Sequence, residues 1–460
     1  MSRLPAGNAE EGTHSILEKH NLSLPVPLKP LDHESLEGYP RLRPLDFLQY
    51  MKDSGNLHRL LGGRQVSNAR PFLEAFWKAY EVCHPDFSLY LQEGVDYGTC
   101  IPIYVHADGG RGYKKSEFMV FNWSAALGSG TGRLNRKDHE IRSFKRARRE
   151  KESQINLLGH TYGTHYLYAV MPQAWHKDDS MFQAMMDCFG KDLAECYEVG
   201  IEYDHQRLRL VPLGLKADLK LQARAGRFTR WYTTCRKSAY DPAKRNQTAG
   251  YCCWLCPAGH IDYPFEEVNT ESPAWLKEMA SFACVAPWRD GQVNGLIRCG
   301  GFSYLAHPAK YYLPDLFHIY LAGFGQDFAG GALVYMLGIT FPGSSVDQQL
   351  ESLNGAWRRW KKMYKIYAHT YYFARPLLNF GDASKMYPTG TWSKASDTAK
   401  IIRFIKYMCE LYEDVLPHDK VLYYIHVAST ALGVCMRSLY DSDLWIESWC
   451  IMRFCQFSVS

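Results

Sequence analysis

The chain has 460 residues, a net charge of +5 and a pI of about 8.4. Hydrophobic residues make up 46% of it and charged residues 22%, a composition that excludes a disordered or fibrous chain and predicts a globular protein of two or three domains. The mildly basic balance permits nucleic-acid binding without requiring it, so local clusters of charge are more informative than the total.

The first 20 residues are polar and contain no apolar run, which predicts a chain that is not secreted and is located in the nucleus or the cytoplasm. We expect most of the 14 cysteines to be free thiols in a reducing compartment. The most apolar stretch, 316–339, is interrupted by His318, Gln326 and Asp327. It predicts a buried helix pair, and we expect no membrane partner.

Composition and periodicity divide the chain into five expected segments. Proline and polar residues over 1–40 predict a flexible or extended arm, and apolar residues at helical spacing predict an N-terminal helical element over 41–99. We expect a core of strands with one helix over 100–232, a Cys/His insertion over 233–300 and a helical C-terminal region over 301–460. The predicted fold class is mixed α+β.

A short strand that ends at a carboxylate opens the predicted core. Ile101, Ile103 and Val105 alternate with other residues in the strand pattern, and Gly109 follows Asp108 directly. A strand that stops at an Asp can hold a metal-binding carboxylate rigidly. The alternative is a strand followed by an ordinary Asx turn.

The order of the next elements favours the metal-binding interpretation. Strands are predicted over 117–126 and 163–171, a helix over 178–199 and a fourth strand over 207–214, which leads to Asp218. In the ribonuclease-H-like fold the first and fourth strands are neighbours, so Asp108 and Asp218 would lie side by side. Two neighbouring carboxylates repel each other, and a divalent cation relieves that repulsion. Alternatively, Lys216 offsets the repulsion and no metal is needed.

Four motifs in this order resemble the DDE (ribonuclease-H-like) transposase superfamily over residues 100 to 440. They are YVHADG at 104–109, GLKAD at 214–218, the Cys-containing insertion, and Asp315-Leu316-Phe317-His318, which is similar to the Cys/Asp-x-x-His motif of many such transposases. The resemblance implies a DNA nuclease or strand transferase with Mg²⁺ or Mn²⁺ at Asp108 and Asp218. Glu447 is the candidate for the third acid.

The resemblance leaves two further questions open. A copy without a third acid would be a catalytically inactive, transposon-derived protein that binds DNA or a protein partner. His318 either orients the active-site region or is a buried histidine with satisfied hydrogen bonds. DNA is the implied partner, and association into a homo-oligomer is left open. An unrelated hydrolase that uses His106 and Asp108 has no nucleophile elbow to support it.

The Cys/His insertion has the spacing of a zinc-knuckle turn. Cys253 and Cys256 are separated by two residues, and His260 follows four residues later. Three ligands from one turn suit tetrahedral Zn²⁺, which predicts a structural Zn²⁺ site. Cys235 is the candidate fourth ligand, with Cys252, Cys284 and Cys299 as alternatives. A thioredoxin-like redox pair is less favoured, because no strand and helix flank the two cysteines.

A strongly basic segment follows the second predicted strand. It has nine Lys or Arg residues against three acids between Arg133 and Lys151, which predicts a solvent-exposed loop. The candidate nucleic-acid contacts are Arg133, Arg136, Lys137, Lys145, Arg146, Arg148 and Arg149. The alternative is a solvated loop without a partner.

The C-terminal region contains an aromatic and basic stripe. Trp357, Trp360, Tyr364, Tyr367 and Tyr371 recur every three or four residues, which predicts one continuous helix. Lysines and arginines occupy the other faces. The stripe predicts either a helix that contacts nucleic acid or, as we prefer, a helix with a buried aromatic face and a solvated basic face.

Overall fold

A computed structural model describes most of the chain. It covers residues 9–20, 23–112, 116–128, 130, 154–156, 161–235, 251–260, 262–267, 273–277, 293–381, 387–441 and 444–445. The fold is mixed α+β, as the sequence predicts. The chain divides into two compact units. The first comprises Met1–Ser129, Leu158–Gly214 and Val293–Leu305, and the second comprises Gly130–Leu157, Leu215–Gln292 and Ala306–Ser460.

Ten strands are present in the described ranges. They are β1 (Leu28–Pro30), β2 (Pro40–Leu42), β3 (Cys100–Arg111), β4 (Glu117–Ala125), β5 (Leu127–Gly128), β6 (Gln154–Ile155), β7 (Tyr166–Pro172), β8 (Ile201–Tyr203), β9 (Gln206–Ala217) and β10 (Tyr312–Pro314). The main sheet is mixed and has the order β10-β9-β3-β4-β7, with β8 paired to β9. Strand β4 is antiparallel to both β3 and β7, and β10 runs parallel to β9.

Eight helices of eight or more α-helical residues are present in the same ranges. They are α1 (Ala9–Lys19), α2 (Pro44–Asp53), α3 (Arg70–Cys83), α4 (Asp179–Glu198), α5 (Gly325–Met336), α6 (Val346–Met363), α7 (Thr398–Leu411) and α8 (Lys420–Asp441). Shorter helices occupy Thr161–Thr164, Gln173–His176, Leu219–Ala225, Ala274–Lys277 and Gly295–Arg298. A wide helix of π type, Phe317–Phe324, precedes α5 directly. None of the helices in the described ranges combines the length and the hydropathy that crossing a membrane requires.

The core of the first unit lies between the sheet and α4. Alternate residues of β3 are fully buried, and Asp178 caps α4 by accepting hydrogen bonds from the next turn. The Tyr168 ring of β7 stacks on Phe189 of α4 with ring centroids 4.0 Å apart, and Phe121 of β4 contacts Phe182 of α4. These buried aromatic pairs fix α4 against one face of the sheet.

The core of the second unit is built from α5, α6, α7 and α8. Trp357 and Trp360 of α6 are buried and stack on each other with centroids 5.3 Å apart, and both rings contact Phe404 of α7. The Trp357 indole N–H donates to the carbonyl of Thr370 at 2.9 Å, so the buried ring leaves no polar atom unpaired.

The expected N-terminal arm contains regular structure. α1 lies within it, and β1 pairs antiparallel with β2. Val26, Leu31 and Leu36 are buried. The proline content that suggested an extended arm therefore coexists with apolar residues that pack into the first unit.

The predicted aromatic stripe does not form one helix. α6 ends at Met363, because Lys365 adopts a left-handed conformation with φ of 53° and the Ile366 N–H donates to the Lys361 carbonyl at 2.9 Å. The preferred burial of the aromatic face holds for Trp357 and Trp360 but is wrong for Tyr364, Tyr367 and Tyr371, which are exposed.

Candidate metal centre

Asp108 lies near the end of β3, on the face opposite the buried aliphatic residues. Strand alternation directs Ile103, Val105 and Ala107 to the core, and all three are fully buried. Asp108 is half-buried and pairs in register with Val120 of β4. The β4 pairing on one side and the β9 neighbour on the other hold the backbone of Asp108 in place.

Asp218 follows the last residue of β9 and caps the short helix Leu219–Ala225. Its Oδ1 accepts the backbone N–H of Leu221 at 2.6 Å. Capping this helix is a structural role, and Asp218 would fill it without any metal ion. The cap uses one carboxylate oxygen and leaves Oδ2 as the atom available to a cation.

Parallel pairing places a second acid beside Asp218. Ala217 of β9 pairs with Pro314 of β10, so Asp218 and Asp315 are the next residues of two adjacent strands. Asp315 Oδ1 accepts the backbone N–H of Phe317 at 2.9 Å, and its Oδ2 lies 2.6 Å from His318 Nδ1. Asp315 therefore holds the imidazole with Nδ1 toward itself, so a cation at this cluster would be bound by Nε2.

Asp108, Asp218 and His318 converge. One ligand atom from each lies within 4.8 Å of those of the other two, and all three side chains are half-buried. In the part of the chain that the structure describes, this is the group of three or more Asp, Glu, His or Cys side chains close enough to share a metal ion. The proximity of the two aspartates was an expectation of the sequence analysis, which noticed His318 only as part of a motif.

Two polar side chains support this cluster. Burial lowers the pKa of Lys216 to about 8, while the nearby Asp315 carboxylate acts in the opposite direction. Gln222 is fully buried, and its Nε2 donates to the carbonyls of Ala217, at 3.0 Å, and Leu313. Gln222 therefore links the ends of β9 and β10 just before Asp218 and Asp315.

The helix that carries His318 is distorted. Phe317–Phe324 has wide π-type turns, and Gly323 departs from helical geometry with φ of −113° and ψ of −125°. A Cβ at Gly323 would lie 2.7 Å from the backbone carbonyl oxygen of His318, closer than side-chain carbons approach a carbonyl. π-type turns often occur at functional sites.

The cysteines of the insertion contact one another in pairs. A side-chain hydrogen bond from Cys256 lowers the pKa of Cys253, and the Leu255 N–H, which donates to Cys253 Sγ at 3.2 Å, acts in the same direction. Burial raises the pKa of Cys252 to about 11, and its side-chain hydrogen bond to Cys235 adds to that shift. A Cys253 thiolate is the form that binds metals.

His260 has a different partner. Its Nδ1 accepts the Asp262 N–H at 3.3 Å and lies 3.4 Å from an oxygen of the Asp262 carboxylate. Cys235, Cys253, Cys256 and His260 do not form a group of mutually close ligand atoms in the described chain. The zinc site stays a prediction.

The remaining predicted residues lie outside the described ranges. These are Glu447, the candidate third acid, and the candidate nucleic-acid contacts Arg133, Arg136, Lys137, Lys145, Arg146, Arg148 and Arg149. Their roles stay predictions.

Sequence reasoning did not identify Gln222 or the function of Asp315. The available signal for Gln222 was its position four residues after Asp218, on the same face of the short helix. Asp315 was noticed only as part of a motif, and in the structure it contacts His318, three residues later. Compared with known proteins, the chain matches no protein-family model and no curated sequence.

Proposed function

We propose that the protein is a DDE-type nuclease or strand transferase that acts on DNA with a divalent cation held by Asp108 and Asp218. The observation that carries this proposal is the convergence of these two carboxylates with His318, with their ligand atoms within 4.8 Å of one another. If the substrate is DNA, we expect the protein to act in the nucleus and to be present in the cytoplasm before its import. Homo-oligomerisation would suit an enzyme that joins two DNA ends.

The order of strands supports a ribonuclease-H-like core. β3, β4 and β7 are consecutive along the sheet, α4 follows them in the chain, and β9 then adds beside β3. The first and fourth strands of the core are therefore neighbours, as the ribonuclease-H-like fold requires. This adjacency is what a pair of strand-end aspartates needs to reach one cation.

The donor set fits a hard divalent cation. Carboxylate oxygens suit both Mg²⁺ and Mn²⁺, and an imidazole nitrogen favours Mn²⁺ of the two. Asp315 holds His318 in the carboxylate–histidine arrangement that orients metal-ligating histidines. When bound, such a cation supplies Lewis acidity at a phosphodiester and lowers the pKa of water.

The side chains of this chain have separable roles. Asp108 and Asp218 supply negative charge and oxygen ligands, and His318 supplies a third ligand. Asp315 fixes the tautomer and the orientation of that histidine. Gln222 positions the strand ends from which Asp218 and Asp315 project.

The second candidate is a catalytically inactive descendant that retains DNA or protein binding. The observation that favours it is that, among the described residues, the third member of the cluster is a histidine, whereas the transposase resemblance implies a third carboxylate. A protein of this kind would bind the cation and DNA without cleaving.

The cysteine segment is proposed as a structural Zn²⁺ site. The lowered pKa of Cys253 supports one thiolate ligand, and the side-chain contact with Cys256 places a second sulfur from the same turn beside it, although that contact raises the pKa of Cys256. Cys235 or Cys252 and His260 would complete four-coordination, and His260 would have to exchange its Asp262 contact for the metal.

A nicking assay on supercoiled DNA tests the proposed activity. The intact protein should nick DNA with Mn²⁺, less well with Mg²⁺, and not in EDTA. Asp108→Asn and Asp218→Asn should abolish nicking, and Asp315→Asn should weaken the affinity for the cation about 10- to 100-fold. Asp204→Asn is the matched control, because Asp204 is exposed and has φ of 48°, which asparagine adopts readily.

The outcomes separate the two candidates. Nicking that is lost in both aspartate variants and kept in Asp204→Asn supports the enzyme. Cation binding without nicking supports the inactive descendant. Nicking that is equal in all variants would assign the activity to a contaminant and overturn the proposal.

A further inference from the structure

A row of exposed aromatic rings follows the end of α6. Tyr364 is 50% exposed, and Tyr367, Tyr371 and Tyr372 are 66–67% exposed. We call these four residues the tyrosine surface. Exposing an aromatic ring to water costs more free energy than exposing most other side chains. Four strongly exposed tyrosines within nine residues are therefore unusual for a segment with only a structural role.

The rings project in a regular pattern. Ala368 and Thr370 are buried, while Tyr367, His369 and Tyr371 between and beside them are exposed. This is the alternation of an extended chain, in which every second residue lies on the same side, roughly 6.6 Å apart. The segment therefore places the rings of Tyr367, His369 and Tyr371 along one side, with Tyr367 and His369 in edge-to-face contact at a centroid distance of 5.0 Å.

The charged residues in the sequence around these rings are all basic. Residues 352–381 contain six Lys or Arg and no Asp or Glu. Arg358, Arg359, Lys362 and Lys365 are exposed, and all of them lie within nine residues of Tyr367. A cationic surface with interleaved aromatic rings has the composition that binds phosphates and bases together.

The backbone beneath the rings is anchored on one side by Asp397. The Thr370 N–H donates to the fully buried Asp397 carboxylate at 2.7 Å, and the Thr370 hydroxyl donates to the same oxygen at 3.0 Å. Lys400 also contacts Asp397, at 2.8 Å, which balances the buried charge.

The other anchors come from α6. Trp357 Nε1 and Lys361 Nζ donate to the Thr370 carbonyl, at 2.9 and 3.1 Å. The Asn354 amide exchanges two hydrogen bonds with the backbone of Phe373. The rings are therefore held on a fixed support, which reduces the entropy that binding would cost.

We propose that the tyrosine surface binds single-stranded DNA, with the rings stacking on unpaired bases and the neighbouring cations contacting phosphates. Single strands are favoured over duplex because the faces of paired bases are covered by their neighbours. A polyanion is favoured over a protein partner because the stretch 352–381 carries six Lys or Arg and no acid, and such a cluster of cations binds phosphates. The choice of DNA rests on the proposed function.

Binding in EDTA tests the surface separately from the metal centre. The probe is a fluorescent oligodeoxythymidylate, and the readout is anisotropy with the full chain. Tyr367→Ser and Tyr371→Ser should each weaken binding about tenfold, the loss of one stacked base. Tyr424→Ser is the matched control, because Tyr424 is 53% exposed but lies on α8, outside the acid-free region.

Salt titration tests the cations. Lys362→Ala should reduce the slope of log affinity against log salt concentration by about 0.7, the value for one phosphate of a single strand. Thermal melting of each variant should match the unmodified protein, since the substituted side chains are exposed.

Several results would overturn this proposal. Tyrosine variants that bind the oligonucleotide as tightly as the control do would exclude stacking at these rings. Equal or tighter binding of oligouridylate would assign the surface to RNA. A change in sedimentation of the tyrosine variants without a change in DNA affinity would make it a contact between copies of the chain. If the unmodified protein binds the oligonucleotide but does not nick DNA, the proposed enzyme is refuted and the proposal for the tyrosine surface stands.

Discussion

Asp108→Asn should stabilise the protein in EDTA and remove its stabilisation by divalent cations. Two carboxylates that exist to hold a cation repel each other when it is absent. Replacing one of them with its neutral isostere relieves that repulsion and also removes a ligand. The combination of higher stability without metal and no response to metal is the signature of a cation site, and a purely structural carboxylate would give neither.

The separation of the ligand atoms sets the size of the expected change in the free energy of unfolding. Two unit charges within 4.8 Å repel by about 3.5 kcal/mol at an effective dielectric constant of 20. Lys216 and partial exposure to solvent reduce this, so we expect the free energy of unfolding in EDTA to rise by about 1–2 kcal/mol. For the unmodified protein, a cation at 100 times its dissociation constant should add about 2.7 kcal/mol, which raises the melting temperature by roughly 5–10 °C.

Urea unfolding and thermal melting, each with EDTA or excess Mn²⁺, measure both quantities. Asp204→Asn makes the same chemical change at an exposed loop and should behave as the unmodified protein does. Asp218→Asn is informative because asparagine preserves the helix cap, so its loss of cation response cannot be attributed to an uncapped helix. If Asp108→Asn lowers stability in EDTA and Mn²⁺ still stabilises the variant fully, the carboxylate is structural and the metal centre is refuted.

Three further predictions concern other parts of the chain. Purified protein should carry about one Zn²⁺ per chain by elemental analysis, and Cys253→Ser should lose it; unchanged zinc content would place the metal elsewhere. Burial opposes ionisation of Asp397, but hydrogen bonds from Lys400 and Thr370 outweigh it and lower the pKa of Asp397 below 3.8. Its stabilisation is therefore present above that pH and lost as pH falls through the lowered pKa. Asp397→Asn should cost about 1–3 kcal/mol at neutral pH and make urea unfolding less sensitive to acid, and an unchanged acid response would contradict the lowered pKa. Reversing the charges of Arg146, Arg148 and Arg149 should flatten the salt dependence of duplex binding, and an unchanged slope would remove this segment from the DNA contact.

The elements that position the two aspartates could be predicted from the sequence. Strand alternation located β3 and β9, and an apolar stripe with an N-terminal Asp located α4. These signals are local, since each depends on the period of one element. The adjacency of Asp108 and Asp218 was expected only by analogy with the ribonuclease-H-like fold, which the order of those elements suggested.

The parts that were missed depend on contacts between distant segments. β10 has three residues, too few to show a period, yet its pairing with β9 brings Asp315 and His318 to Asp218. The end of α6 was missed because Lys365, and not a glycine, takes the left-handed conformation there. The tyrosines beyond it therefore appeared as the continuation of a helix that had already stopped.

Because the helix Phe317–Phe324 is of π type, the position of His318 depends on the number of residues in this helix. Wide turns contain more residues than α-helical turns, so deleting one residue from 319–324 would favour a regular α-helix. The preceding segment would then turn by about 100° relative to α5 and move the His318 Cα by about 3.5 Å, given 3.6 residues per turn and a Cα radius of about 2.3 Å. That displacement would separate the imidazole from Asp218 even though every ligand residue was still present. A related chain with one residue fewer in this helix is therefore expected to lack the histidine ligand.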